Sequence, residues 1–393
     1  YFVGYKLGLT ATPKDYLKQS RSGDSSRDPR DAERRMLLDT YRTFGCASGE
    51  PTYRYSLVDG VKNGFLINPF VVDARTGVTT QLLSDQGFIV AVTDDQGIEV
   101  EEAYTGRDFE KKFYAEHTNR TFCKTLLENG LRDPISGEFG KTLVFAVSQN
   151  HAAKLAQILN EMADQLWPSR YSSDFAMQVT SHVADAQKMT VNFANNNLGG
   201  HSDFAPNYRT SKTRVCVTVG MMTTGYDAPD ILNLALMRPV FSPSDFVQIK
   251  GRGTRKHNFT QEMFDPKQKA LLGDVSKDSF KLFDFFANCE YFEEKFDYDQ
   301  ELSLPTIGAM PLLGGSEGGE ATSAVAGGGG PYEHFDPDDV VSQVETQIGA
   351  QGMRIDRELF GRFEDTVRAD MKLGELVAVQ NWEAATRHVI GNI

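Results

Sequence analysis

The stretch from Val215 to Arg255, VCVTVGMMTTGYDAPDILNLALMRPVFSPSDFVQIKGRGTR, constrains the fold of this chain more than any other. Val215–Val219 is a short β-branched run, the pattern of a parallel strand buried on both faces. Gly220 ends it, and a polar loop follows, from Thr223 to Pro229. A second apolar run, Leu232–Met237, predicts another strand. Ser242-Pro243-Ser244-Asp245 then signals a helix start, with Ser242 as N-cap, Pro243 at the first helical position and an acid in the first turn. A loop at the carboxyl end of a parallel strand is where α/β sheets bind ligands, so the Thr/Asp loop is the first candidate site.

On the helix, Gln248, Arg252 and Arg255 sit at i, i+4 and i+7, a spacing that puts one amide and two guanidiniums on one face. Lys250 falls on another face and serves as an internal control. Gly251 and Gly253 flank Arg252 where a helix interior normally avoids Gly. A close neighbour, another backbone or a phosphate, would explain both. Two arginines on a helix usually mark a solvated face. Here they end a longer pattern of strand, Thr/Asp loop, strand and capped helix. Planar, permanently charged guanidiniums suit a γ-phosphate whose charge is redistributed during transfer.

Thr223-Thr224-Gly225-Tyr226-Asp227-Ala228-Pro229 resembles motif V of superfamily-two helicases and DNA translocases, and Gln248-Ile249-Lys250-Gly251-Arg252-Gly253-Thr254-Arg255 resembles motif VI. The resemblance implies that Arg252 and Arg255 act as arginine fingers and that Gln248 contacts the nucleotide. It also implies that Gly225 and Asp227 border the nucleotide, and that Thr223 and Thr224 face DNA backbone.

The 393 residues are enough for two to three domains with sizeable cores. No run of eighteen apolar residues occurs, so no membrane span is expected. No signal peptide is visible: the chain starts Tyr-Phe-Val. Cys46, Cys123, Cys216 and Cys289 are scattered with no C-x-x-C, which fits free thiols in a reducing cytoplasm. The net charge of −13 is an odd balance for a DNA binder. A translocase still holds DNA in a local basic groove, so global charge decides little.

Tyr5–Thr12 reads as a strand running into Thr10-Ala11-Thr12, which Pro13 stops. In this company it looks like motif III, which couples hydrolysis to DNA. In that family a phosphate loop and an acidic box precede motif III, so the chain reads as a fragment of a larger enzyme. Gly140-Lys141-Thr142 mimics the end of a phosphate loop, but the Gly required five residues earlier is Ile135, and a strand follows where a helix is needed. Residues 15–39 are polar and loop-like. The segment PTYRYSLVDGVKNGFL, from Pro51 to Leu66, resembles the stretch after motif III in the restriction (HsdR) subunit of type I restriction-modification enzymes, where it connects two motor domains. Residues 87–104 predict a β-hairpin around Thr93–Gly97. Asp108–Asn129 predicts a helix, structural or DNA-facing, with Gly130 past its end.

The second motor domain is expected to begin near Gly106. Thr142–Val147 predicts a buried strand. Ser148-Gln149-Asn150 then caps a helix with a stripe at Leu155, Ile158, Leu159, Met162 and Leu166. This looks like motif IV. Ser148 and Asn150 at a helix N-terminus either bind a DNA phosphate or simply cap. Phe175–Val183 predicts a strand, Asp185–Ala194 a helix, and Lys281–Cys289 the last strand. His182 and His257 are lone histidines with no metal-ligand set around them, and both read as non-catalytic.

Residues 303–330 are rich in Gly and small residues and read as a flexible linker. Beyond it, Asp336-Pro337 predicts a helix carrying Val340, Val341, Val344 and Ile348, with Gly349 past its end. A longer helix is predicted to carry Leu359, Phe360, Phe363, Val367 and Met371. Twelve acids against six Lys/Arg in the last 61 residues make this tail acidic. It either docks on other subunits or packs on the motor.

The reading is therefore α/β: a RecA-like parallel-sheet domain, a β-containing connector and an α-helical tail. The expected divisions are 1–13 (end of a first RecA-like domain), 14–105 (connector), 106–302 (second RecA-like domain), 303–332 (linker) and 333–393 (docking region). The resemblance implies ATP-driven translocation on double-stranded DNA with Mg²⁺, in a cytoplasmic complex with modification and specificity subunits and no membrane. Another superfamily-two enzyme, such as a repair helicase, and a non-catalytic DNA- or partner-binding module are the alternatives. The connector argues against the first. On this reading the purified 393-residue chain hydrolyses no ATP, with or without DNA. A phosphate-release assay showing DNA-stimulated turnover would contradict it.

Overall fold

The computed structural model describes residues 44–46, 53, 55–75, 80, 116–202, 204–223, 226–295, 343–349, 352–356 and 384. Thr10, Ala11 and Thr12, the hairpin at 87–104, the Gly-rich linker and the helix expected from Leu359 lie outside the described residues, as do Thr224 and Gly225.

Four of the runs read as strands form the middle of one sheet. They are β2 (Thr142–Phe145), β4 (Val215–Thr218), β5 (Asn233–Leu236) and β6 (Phe280–Asp284). Every residue of β2, β4 and β5 is buried, as parallel strands covered on both faces require. With β1 (Pro69–Asp73), β3 (Ala176–Gln178) and β7 (Val344–Gln347), the order across the sheet is β3-β4-β2-β5-β6-β1-β7. Six strands run parallel, and β7 alone pairs antiparallel, to β1.

Alternation along each strand sorts side chains onto two cores. Val72, Val144, Val215, Val217, Ala235 and Phe283 face one of them. Helix α2 (Glu116–Asn129) adds Phe122, Leu126 and Leu127 there, and α3 (Gln149–Leu166) adds Leu155, Ile158 and Leu159. Val71, Leu143, Phe145, Cys216, Leu234, Leu236 and Leu282 face the other. Over that face lie Phe193 of α4 (Ala186–Ala194) and Phe246, Val247 and Ile249 of α5 (Pro243–Gly251). Helices on both faces of a mostly parallel sheet make this an α/β fold. Two shorter helices, α1 (Leu57–Lys62) and α6 (Pro266–Leu272), lie outside these layers.

Several expectations are corrected. The third strand is only Ala176–Gln178. Residues 69–73, placed in the connector, are a full strand of the sheet, in register with β6 from Pro69↔Phe280 to Asp73↔Asp284. Residues 344–347, placed in a helix, form β7. Val344-Glu345-Thr346-Gln347 satisfies a period of two as well as one of 3.6. The free edge of β1 supplies hydrogen-bond partners that no isolated helix offers, so pairing decides. The chain then turns, and Met353 and Ile355 enter the second core at 2% and 0% exposure.

Lys250 is not on a solvent face. Its ammonium lies 2.5 Å from Asp356 Oδ1, and both side chains are 1% exposed. Removing one partner of a buried pair leaves a charge uncompensated in a medium of low dielectric. A chain ending at Leu302 loses β7, Met353, Ile355 and Asp356 together. Although the Gly-rich linker suggests independence, such a chain is expected to be less stable by ~3–5 kcal/mol or more. Chemical denaturation checks this, and an unchanged midpoint and slope would show that the tail is not part of the core.

Candidate functional site

The expected site residues that the structure describes fall at two opposite edges of the sheet. At the carboxyl edge, β2 runs into Ser148, the N-cap of α3, whose hydroxyl accepts from the His151 amide at 3.2 Å. The capping reading of Ser148 is thus realised, with Asn150 exposed beside it. One turn in, His151 is buried; its Nδ1 accepts from the Val147 amide at 3.3 Å, and Nε2 lies 3.0 Å from Asn119 Oδ1. With Nδ1 accepting, Nε2 carries the proton that Asn119 receives. Thr223, in the turn that follows β4, is buried at 6% exposure, and its hydroxyl has no partner among the described residues.

The chain then crosses to the amino edge, where β2, β5 and β6 begin. Asp230 meets Lys141, the residue before β2, with Nζ 3.0 and 2.9 Å from its two carboxylate oxygens and 2.9 Å from Asn196 Oδ1. Burial alone would raise the Asp230 carboxyl; the Lys141 ammonium outweighs it and holds the group below the usual carboxylate range. The Gly-Lys-Thr mimic is therefore occupied: its lysine closes a buried ion pair at the head of a strand.

Helix α5 starts as its sequence requires. Ser242 Oγ accepts from the Asp245 amide, and Pro243 takes the first turn. It ends sooner than the arginine spacing implied. Gly251 is its last residue and Arg252 its C-cap, while Arg255 lies beyond it, in a bridge with Leu66. The one-face helix argument is thereby corrected. The loop Gly251–Arg255, not a continued helix, brings the arginines to the edge. The two glycines also part company. A Cβ on Gly253 would sit 2.2 Å from the Phe280 ring, whereas one on Gly251 would meet nothing within 4 Å. The close neighbour is an aromatic ring rather than a backbone or a phosphate.

Arg252 Nε donates to the Gln248 carbonyl at 3.1 Å, and its terminal nitrogen donates to the Tyr226 carbonyl. Burial, and then the neighbouring Arg255, lower its pKa from the ordinary arginine value. Arg255 Nε lies 3.5 Å from Asp227 Oδ1, with both side chains more than half exposed. Gln248 is half-buried on the last turns of α5. The structure thus joins Asp227 and the Tyr226 backbone to Arg252 and Arg255, and it separates them from Ser148 and Asn150.

One residue that motif reading misses ties this edge together. Lys277 Nζ donates to the Pro229 carbonyl at 3.1 Å and to the Gly253 carbonyl at 2.7 Å. Burial pushes its pKa down to about 7. Nothing in the local sequence, Val275-Ser276-Lys277-Asp278, marks it. Beside it opens a groove of about 1020 Å³ lined by Leu66, Lys256, His257, Asn258, Ser276 and Lys277. His257 stands edge-on to Phe259 at 4.8 Å, and burial lowers its pKa. Among the described residues no group of three His, Cys, Asp or Glu side chains is placed to hold a metal ion, and no helix is long and apolar enough to cross a membrane.

The molecule is an α/β protein whose paired arginines meet an acidic loop at one edge of a mostly parallel sheet. No family model matches the chain. It is 29% identical over 299 residues to the EcoKI type I restriction enzyme endonuclease subunit of Escherichia coli K12, a match covering 72% of this chain and 20% of that one. It is 25% identical over 254 residues to the EcoAI endonuclease subunit of Escherichia coli, covering 64% and 26%. The chain thus spans about a fifth to a quarter of the length of these relatives. A solved fragment assigned to the HsdR subunit of a type I restriction enzyme from Vibrio vulnificus YJ016 is 25% identical, with a TM-score of 0.39 over 70% of this chain and 41% of that one. By sequence, this chain is similar to part of the endonuclease subunits of type I restriction enzymes, the family its motifs resemble.

His151 makes a pH prediction. Burial pushes its pKa from 6.5 down to about 3 in the folded chain. The neutral imidazole contributes stability that is complete above about pH 6.5 and is lost as pH falls toward 3. The unfolded state binds the extra proton, so stability falls by at most ~1.4 kcal/mol per pH unit from this group. Denaturation midpoints between pH 7 and 4 should drop less steeply in His151→Gln than in the parent. Parallel slopes would show that His151 is not buried neutral.

Proposed function

We propose that this chain carries motifs III to VI of an ATP-driven double-stranded DNA translocase, within the motor and endonuclease subunit of a type I restriction enzyme. One observation carries the reading. Two sequence motifs some twenty-five residues apart close on each other at the amino edge, Arg252 on the Tyr226 carbonyl and Arg255 beside Asp227.

The residues fit a nucleotide phosphate. Among the described residues the Arg255 side chain is held by an exposed contact to Asp227, and exposed pairs of this kind contribute little, so its guanidinium can exchange partners. Arg252 is anchored through Nε, which aims the rest of its planar fork. Bound ATP·Mg²⁺ would supply the transferable phosphoryl group and its counter-ion. Arg252 and Arg255 would neutralise charge on the γ-phosphate, Gln248 would contact the nucleotide, and Gly225 and Asp227 would border it. Thr223, Thr224, Ser148 and Asn150 would meet DNA phosphates, and Thr10, Ala11 and Thr12 would couple hydrolysis to DNA. Lys141, committed to Asp230, takes no part in phosphate binding. DNA cleavage, assembly with modification and specificity subunits, and a cytoplasmic location belong to the same proposal.

The test uses the complete subunit with DNA. Arg252→Ala and Arg255→Ala should each lower DNA-stimulated ATP hydrolysis by orders of magnitude, up to ~10³–10⁵-fold. Arg255→Ala should leave the melting temperature unchanged, and Arg252→Ala should lower it slightly because two backbone carbonyls lose a donor. Lys250 is buried and unsuitable as a control, so exposed Lys267 takes its place. Equal losses in Lys267→Ala and Arg252→Ala, or an undiminished rate in Arg252→Ala, would overturn the assignment.

A further inference from the structure

We infer that Asp356 is a positioning residue for Arg252, acting through Lys250. The inference rests on the proposed role of Arg252 and adds a segment that no motif includes. Lys250 lies two residues before Arg252, in the last turn of α5. Its ammonium is gripped by both oxygens of Asp356, at 2.5 and 2.6 Å, across 106 residues of chain.

Asp356 is itself held in place. Its Oδ2 accepts from the Met353 amide at 2.9 Å, and its own amide donates to the Met353 carbonyl at 3.0 Å. Gly352 takes φ +64°, where a side chain is strained, and a Cβ there would meet Asp356 Oδ2 at 3.0 Å and Val58 Cγ2 at 3.1 Å. Met353 and Ile355 are buried in the core that also holds Phe246 and Ile249 of α5. Upstream, the Ile348 amide donates to the Pro69 carbonyl at 3.2 Å, and Asn68 Nδ2 donates to the Gly349 carbonyl at 2.7 Å. Residues 344–349 and 352–356 therefore clasp both the edge of the sheet and the end of α5.

The ion pair is a costly way to obtain stability alone, because an apolar pair of similar volume often serves as well or better. What charge adds is direction. A two-oxygen grip on one ammonium fixes the rotation of the last helical turn. The Arg252 and Gly253 amides bond back into that turn, to the Ile249 carbonyl at 3.0 Å and the Lys250 carbonyl at 3.1 Å. The departure angle of Arg252 is set there. A misplacement of about an ångström costs up to ~10²-fold in rate where geometry controls chemistry.

The experiment compares four variants of the complete subunit with DNA: Asp356→Asn, Lys250→Met with Asp356→Leu, Lys250→Asp with Asp356→Lys, and Arg252→Ala. Thermal midpoint, kcat and KM for ATP, and hydrogen exchange at the Arg252 and Gly253 amides are measured for each. The apolar pair is expected to melt near the parent temperature while kcat falls ~10-fold or more. KM for ATP should stay unchanged, because a transition-state contact is lost. Its Arg252 and Gly253 amides should exchange faster than in the parent, and the reversed pair should recover part of the rate. Full kcat in the apolar pair would overturn the inference and leave Lys250–Asp356 a packing feature. If the apolar pair fails to fold, Asp356→Asn carries the same amide-exchange reading, and unchanged exchange there overturns it equally. An Arg252→Ala subunit with normal turnover would remove the proposed function. A defective Arg252→Ala beside fully active Asp356 variants would remove only this inference.

Discussion

The amino edge of the sheet depends on one buried lysine amine. Lys277 Nζ bonds the carbonyl of Pro229, at the end of the acidic loop, and that of Gly253, inside the arginine loop. Carbonyl oxygens buried without donors cost about 1–3 kcal/mol each, so the two loops come together where one donor satisfies both. Behind Lys277, Lys141 and Asp230 pin the same acidic loop to the head of β2. Arg252 then completes the closure by donating to the Tyr226 carbonyl. Three basic side chains, each partnered by main chain or by a buried carboxylate, hold a surface on which Arg255 and Asp227 remain exposed. The firm groups are beneath and the exchangeable pair is on top, an arrangement suited to a ligand that competes for Arg255.

That edge is in turn supported from a distance. β1 and β7 extend the sheet beyond β6 using residues on either side of the central segment, and the bridge from Leu66 to Arg255 runs along the same seam. The Ile67 amide donates to the Thr254 carbonyl at 2.9 Å, so the segment entering β1 also steadies the arginine loop. The helix that leads into the arginine loop is thus flanked by segments far before and far after it in sequence. A chain divided at the connector or at the Gly-rich linker would separate parts of one core.

Local patterns made the centre of the fold legible. Val215–Thr218 and Thr142–Phe145 read as strands because continuous β-branched and aromatic runs suit only a doubly covered sheet. Ser242-Pro243 and Ser148 announced their helices because capping is local chemistry. What failed was long-range. The spacing of Arg252 and Arg255 matched a helix, but the Phe280 ring against Gly253 belongs to a turn. Val344–Gln347 fitted two periods, and its partner strand lies far back in the chain, where Phe70 faces Gln347. Lys250 read as an internal control on another helix face because its acid is 106 residues away. Lys277 carried no signal, since its partners are backbone carbonyls and any sequence supplies those.

The central claim is that the amino edge, with Arg252 and Arg255, is the face turned toward nucleotide. Determining the structure of the complete subunit with DNA and a non-hydrolysable ATP analogue tests it most directly. The account predicts that Arg255 has left Asp227 and that both guanidiniums lie within hydrogen-bond distance of the terminal phosphate. The nucleotide's phosphates bound at the carboxyl edge beside Ser148, with Arg255 still on Asp227, would contradict it.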